Sequence, residues 1–148
     1  MPRIERFFPG TKVTNWTSGA LGGGAAGLAS PKASGGNIGF YTYSGTDYWT
    51  HTFFSSGTFT PSESISADVM IVAGGGSGGN RNSGGPPAGG GGGGLVYYVG
   101  TTLAAAGHAV TIGAGGASGT VNNGIGNQGA NSSLGSLTAA VGGGGGAG

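Results

Sequence analysis

The stretch DVMIVAGGGSGG, residues 68–79, decides the fold class. Its first six residues form a short continuous apolar run, the pattern of a strand buried on both faces. Glycine follows at once, and no helix-forming segment comes after it. Gly74, Gly76 and Gly79 match the Gly-x-Gly-x-x-Gly spacing of a dinucleotide-binding turn. That site requires the third glycine to open a helix and an acid about 20 residues further on. Here the chain continues NRNSGGPPAGGGGGG, which no helix accommodates, and no Asp or Glu follows Asp68. The match is a product of glycine abundance.

Upstream, residues 40–43 and 48–54 are rich in aromatic and β-branched residues, with Ser-Gly-Thr-Asp turn chemistry between them. Ser55-Ser56-Gly57 reads as a second turn, 58–60 as resumed extended chain and Pro61 as its end. Alternation places Tyr41 and Tyr43 on one face, while Phe53 and Phe59 suit a small core. Downstream, 95–99, 109–112 and 138–141 are strand candidates, and residues 102–107 hold at most one helical turn. Glycine-rich runs separate these pieces. The expectation is an all-β, short-strand, sandwich-like module with long glycine-rich loops.

Those runs carry their own hypothesis. A glycine tract in the polyproline-II shape rises about 3.1 Å per residue and makes no internal hydrogen bonds. Its backbone groups all point outward and need partners. Tracts lying side by side can satisfy one another, because no β-carbon keeps them apart. The alternative is a solvated loop. Strands flank each run at short range, which favours packing for at least one tract. No Gly-X-Y period is present, so collagen is excluded.

Composition narrows the functional classes. Of 148 residues, 40 are glycine and 6% are charged. Residues 74–148 contain one charge, Arg81. The cations Arg3, Arg6, Lys12, Lys32 and Arg81 are dispersed, which argues against nucleic-acid binding. With no cysteine there are no disulfides or thiolate sites. The sequence contains no apolar run long enough to span a bilayer, so no membrane insertion is expected. Its start lacks a secretory signal, and synthesis in the cytoplasm is the expectation. Ordering each glycine costs roughly 0.5–1 kcal/mol relative to alanine in regular structure. Self-association would offset that cost.

Catalytic constellations are weak. The four acids, Glu5, Asp47, Glu63 and Asp68, form no evident pair. Asp47 and His51 share a strand face but stand about 13 Å apart at strand rise, too far for a histidine–acid hydrogen bond. His108 follows a glycine and reads as a turn residue. No enzyme activity, metal or cofactor is expected.

The ordered pieces HTFFSSGTFT, ADVMIVAGGGSGG, AVTIGAGG, GANSSLG and AAVGGGGGAG, spread over residues 49–148, resemble the glycine-rich domain of bacteriophage tail-fibre and other virion proteins. The resemblance implies a β-rich, homo-oligomeric, often trimeric virion protein that displays loops for host recognition. It implies no catalytic residues. Such proteins continue through further glycine tracts, so a longer native chain is expected beyond residue 148.

On that reading residues 1–39 are an arm and Gly/Ala/Ser-rich linker that attach to the particle, and 40–148 are the glycine-rich β domain. Candidate anchors are Ile4, Phe7, Phe8, Val13 and Trp16. The alternative for that segment is a first strand tucked under its own domain. Candidate recognition residues are Asn80, Arg81, Asn82, Asn122, Asn123, Asn127 and Gln128, in small, polar, glycine-rich segments. Expected partners are further copies of the chain, other virion proteins and a host receptor or glycan. Rival readings are a head-decoration fibre, a non-viral glycine-rich adhesin, and an ice- or carbohydrate-binding protein.

Overall fold

The computed structural model describes residues 30–81, 86–119 and 124–148, and these contain strands and glycine tracts with no helix. The protein is all-β. The candidate anchors Ile4, Phe7, Phe8, Val13 and Trp16 lie outside the described residues.

Eight strands follow in chain order. They are β1 (Ala33–Ser34), β2 (Asn37–Tyr43), β3 (Thr46–Thr52), β4 (Gly57–Pro61), β5 (Ile65–Val72), β6 (Leu95–Leu103), β7 (His108–Thr111) and β8 (Ser133–Leu134). All ladders are antiparallel. One sheet has the order β1-β4-β7-β8, and β2–β3 and β5–β6 form separate two-stranded sheets. β1 and the start of β2 fall inside the stretch read from sequence as linker. The ordered domain therefore begins several residues before 40.

The β2–β3 turn shows the local logic. Tyr43 pairs with Thr46, leaving a two-residue turn at Ser44 and Gly45 with φ of 50° and 77°. Two consecutive left-handed residues are what a tight hairpin matched to strand twist demands, and Gly45 meets that demand without strain.

The four-stranded sheet and the β5–β6 hairpin enclose the core as a small sandwich. Phe59, Leu103 and Val110 are buried together, with Phe53, Ile65, Ala67, Val69 and Leu134 packed against them. Phe53 and Phe59 meet edge to face at 6.5 Å, so both aromatics expected in the core are there. A second cluster, Ile71, Ala73 and Ala140, seals the junction between strands and glycine.

Two strand assignments need correction. Residues 68–73 are not buried on both faces. Ile71 is 7% exposed, but Met70 and Val72 are 65% and 51% exposed. A hairpin with a single sheet packed against it can cover only one of its faces. Nor is 138–141 a strand. Ala140 makes an isolated bridge to Ser132, and the chain then enters glycine, where the pairing pattern changes. Residues 102–107 hold no helical turn, since Thr102 and Leu103 complete β6 and a tight turn links them to β7.

The glycine runs are the second half of the architecture. Five tracts, 73–80 (I), 88–94 (II), 113–119 (III), 124–131 (IV) and 140–148 (V), pack side by side. Tract I donates from Ala73, Gly76 and Gly79 to the carbonyls of Gly94, Gly91 and Ala88 in tract II, at 2.9, 2.8 and 2.9 Å. It donates from Gly74, Ser77 and Asn80 to Ala130, Asn127 and Gly124 in tract IV, at 3.0, 2.9 and 2.9 Å. Its carbonyls at Gly74 and Ser77 accept from Gly143 and Gly146 of tract V, and that at Gly75 accepts from Gly116 of tract III. Every interface with more than one backbone bond advances by three residues. That period is the polyproline-II repeat, at about three residues per turn. A β-strand offers its hydrogen bonds in one plane and has at most two neighbours. Tract I bonds to all four other tracts, so the runs form a three-dimensional lattice rather than loops.

Glycine is needed here for space, since no tract glycine has positive φ. A β-carbon on Gly76 would lie 2.1 Å from the Gly144 carbonyl oxygen, and one on Gly79 would lie 2.0 Å from that of Ala147. The hydrogen in that place makes a Cα–H···O contact instead. Side chains enter where a position faces outward, as at Ile125 and Val141, which are 75% and 59% exposed. The three glycines of the dinucleotide-like spacing are thus lattice positions.

Candidate recognition surface

Four of the five tracts join a strand directly. β5 runs into tract I, tract II into β6, β7 into tract III and tract IV into β8. The strands therefore sit at one end of the lattice, and Asn80, Gly119 and Gly124 at the other. Tract I reaches about 20 Å from the strands at polyproline-II rise.

At the far end, Asn80 donates its backbone N–H to the Gly124 carbonyl at 2.9 Å, and the two residues form a bridge. Asn80 and Gly124, distant in sequence, are thereby held side by side. Gly119 lies against them, since a β-carbon on it would come within 3.8 Å of both the Asn80 side chain and the Ile125 carbonyl. Asn80 and Arg81 stand at this end, with Arg81 exposed. Asn82, Asn122 and Asn123 lie outside the described residues, between flanks that the lattice fixes here.

Asn127 and Gln128 are placed differently. Asn127 donates its side-chain amide to the Ala117 carbonyl at 2.8 Å and its backbone N–H to Ser77 Oγ at 2.8 Å. Gln128 reaches the Gly142 carbonyl at 3.4 Å. Both stitch tracts together within the lattice. Asn131 joins them, accepting at Oδ1 from the Gly142 N–H at 2.9 Å. These amides supply hydrogen bonds where the three-residue period leaves backbone groups unmatched.

A second exposed surface lies on β2–β3. Tyr41 and Tyr48 stack at 5.1 Å and 13° on one face, and Phe40 and Trp49 contact at 5.0 Å on the other. Tyr43 is 70% exposed on the same face as Tyr41. Next to this hairpin, at the β3–β4 connection, is a shallow cleft lined by Asn37, Thr52, Phe54, Ser55, Ser56 and Thr58 among others, with no charged group.

The titratable groups are committed to structure. His51 Nδ1 bonds the Gly35 carbonyl at 2.7 Å, and its ring sits edge-on to Phe59 at 5.0 Å. Asp47 accepts from the Thr42 hydroxyl at 2.7 Å. His108 opens β7 and reaches the Ala104 carbonyl at 3.0 Å through Nε2. Lys32 pairs with Glu63 on the surface. Asp68 sits opposite the β6 bulge at Val99 and Gly100, where it accepts from the Gly100 N–H at 2.7 Å and the Tyr97 hydroxyl at 3.3 Å. The Asp68 charge raises the Tyr97 pKa above its ordinary value, with smaller contributions from burial, the Asp68 hydrogen bond and Tyr41. Among the described residues, no three His, Asp or Glu side chains gather as a metal site.

Strands that feed glycine tracts and tracts that interlock every third residue define an all-β glycine-lattice protein. The chain belongs to the glycine-rich domain family, whose model matches residues 52–148. A search of curated proteins and one of solved structures returned no match.

Proposed function

We propose that this protein is a structural component of a bacteriophage particle, a tail-fibre or tail-associated protein that contributes to host attachment. The observation that carries the reading is the bridge between Asn80 and Gly124, at the end of the lattice remote from the strands. A binding surface works best when variable loops stand on a rigid support. The lattice supplies such a support with almost no charge or side-chain bulk. Residues 1–39 would attach to the particle through Ile4, Phe7, Phe8, Val13 and Trp16. Asn80 and Arg81, with Asn82, Asn122 and Asn123 in the adjoining loops, would face a host receptor or glycan. The order of sequence pieces shared with glycine-rich virion proteins supports the same reading.

The partners on this reading are further copies of the chain, in a trimer or another homo-oligomer, and neighbouring virion proteins. The test is electron microscopy of particles decorated with antibody against the domain. Label at the tail, with loss of host adsorption when the antibody is present, is the expected result. Label on the head would favour a decoration fibre. Absence of label from intact particles would overturn the virion assignment.

A further inference from the structure

We propose that the outward face of the β5–β6 hairpin packs against the same face of another copy of this chain, around a symmetry axis. One face of the hairpin closes the core. The other carries Met70, Val72, Leu95, Tyr97 and Val99, which are 65, 51, 60, 56 and 74% exposed. The register sets Met70 beside Tyr97 and Val72 beside Leu95, so these side chains form one patch. At roughly 150–250 Å² for a large side chain, the patch presents on the order of 500 Å² of accessible surface. That is near the upper end of what a monomer normally leaves exposed. It is more than half of the about 800 Å² per partner in a standard interface.

The chemistry of the patch selects its occupant. Asp68 is the single charged residue on these two strands, and its carboxylate is already held by Tyr97 and Gly100. There is no cation for a phosphate backbone or an anionic membrane surface, and membrane-surface elements characteristically carry Lys and Arg beside the apolar face. Interfaces between copies of one chain are the most apolar class, and a face on a symmetry axis is automatically offered an apolar counterpart. Self-association also offsets the entropy spent in ordering the glycine tracts.

This inference rests on the self-association in the proposed function and names its surface. The test is the mass of the full chain by light scattering across a concentration series, for the natural sequence, Met70→Asp/Leu95→Asp and Ile125→Asp. Ile125 is equally exposed but lies at the far end of the lattice. The natural chain and Ile125→Asp are expected at an integer multiple of the monomer mass, and the double variant at the monomer mass with an unchanged circular dichroism spectrum. Should the double variant fail to fold, Val72→Thr/Val99→Thr is expected to weaken association at least tenfold. A multiple mass that survives either substitution overturns the surface and leaves the fibre reading standing. A natural chain that stays monomeric overturns both the surface and self-association, and its co-sedimentation with phosphatidylcholine vesicles would assign the face to a membrane.

Discussion

Gly143 donates its backbone N–H to the Gly74 carbonyl at 2.9 Å, and three residues on Gly146 repeats the contact with Ser77. Tract V therefore runs parallel to tract I, while both run antiparallel to tracts II and IV. Two central tracts are thus bonded to each other and share the same flanking neighbours. The arrangement requires the chain to leave and re-enter the lattice through the strands, which explains why strands and tracts alternate along the sequence. The β module sets the tract directions.

Hydrogen exchange will read the lattice residue by residue. The amides of Gly76, Gly91, Gly129 and Gly143 each have a carbonyl partner at 2.8–2.9 Å and are expected to exchange slowly. The amides of Gly89 and Gly92 face outward and have no acceptor among the described residues, so they are expected to exchange fast. A tract with uniform fast exchange would mean that the lattice does not form in solution.

The joint between strands and core rests on Phe59, which is 7% exposed and contacts both Phe53 and His51. Phe59→Ala is expected to cost about 3–5 kcal/mol, measured by urea denaturation. Phe54→Ala is expected to change stability by less than about 0.5 kcal/mol, since Phe54 is 80% exposed.

How much of this was legible in the sequence depends on which force acts at each residue. The hairpin at Ser44-Gly45 and the core role of Phe53 and Phe59 follow from local turn chemistry and alternation, and both are found. The exposure of Met70 and Val72 was misjudged because an apolar run does not reveal how many layers cover a strand. Residues 138–141 have strand composition, but Ala140 is fixed by packing against Ile71 and Ala73, a tertiary effect. The pairing of Asn80 with Gly124 depends on the relative direction of two tracts, and no local signal encodes it. The lattice itself was foreseeable from glycine content and the need to satisfy backbone groups. Its register was not, because glycine tracts look alike at every shift. That Asn127 and Gln128 bond to neighbouring tracts follows from this register.

Alkaline titration will test the Asp68 clamp on the β6 bulge. The Asp68 charge raises the Tyr97 pKa in the folded state above its ordinary value of 10.0. The neutral phenol is thus favoured by folding, and its contribution to stability is complete below pH 10.0 and falls as the pH rises through the folded-state value. Asp68→Asn is expected to bring the Tyr97 transition down towards the ordinary value, followed by tyrosinate absorbance against a Tyr97→Phe control. An unchanged transition would remove Asp68 as the cause.

Glycine is required in the tracts by interlocking and not by composition, and two adjacent residues test this. A β-carbon on Gly145 would lie 1.8 Å from the Gly126 carbonyl oxygen, whereas one on Gly144 meets nothing within 4 Å. Both have negative φ, so alanine is conformationally acceptable at each. The measurement is thermal unfolding of Gly144→Ala and Gly145→Ala beside the natural chain. Gly144→Ala is expected to be neutral or to stabilise by about 0.5 kcal/mol through the unfolded state. Gly145→Ala is expected to destabilise by about 3 kcal/mol, because backbone must move to admit the methyl group. Equal melting temperatures for the two variants would contradict the interlocked lattice.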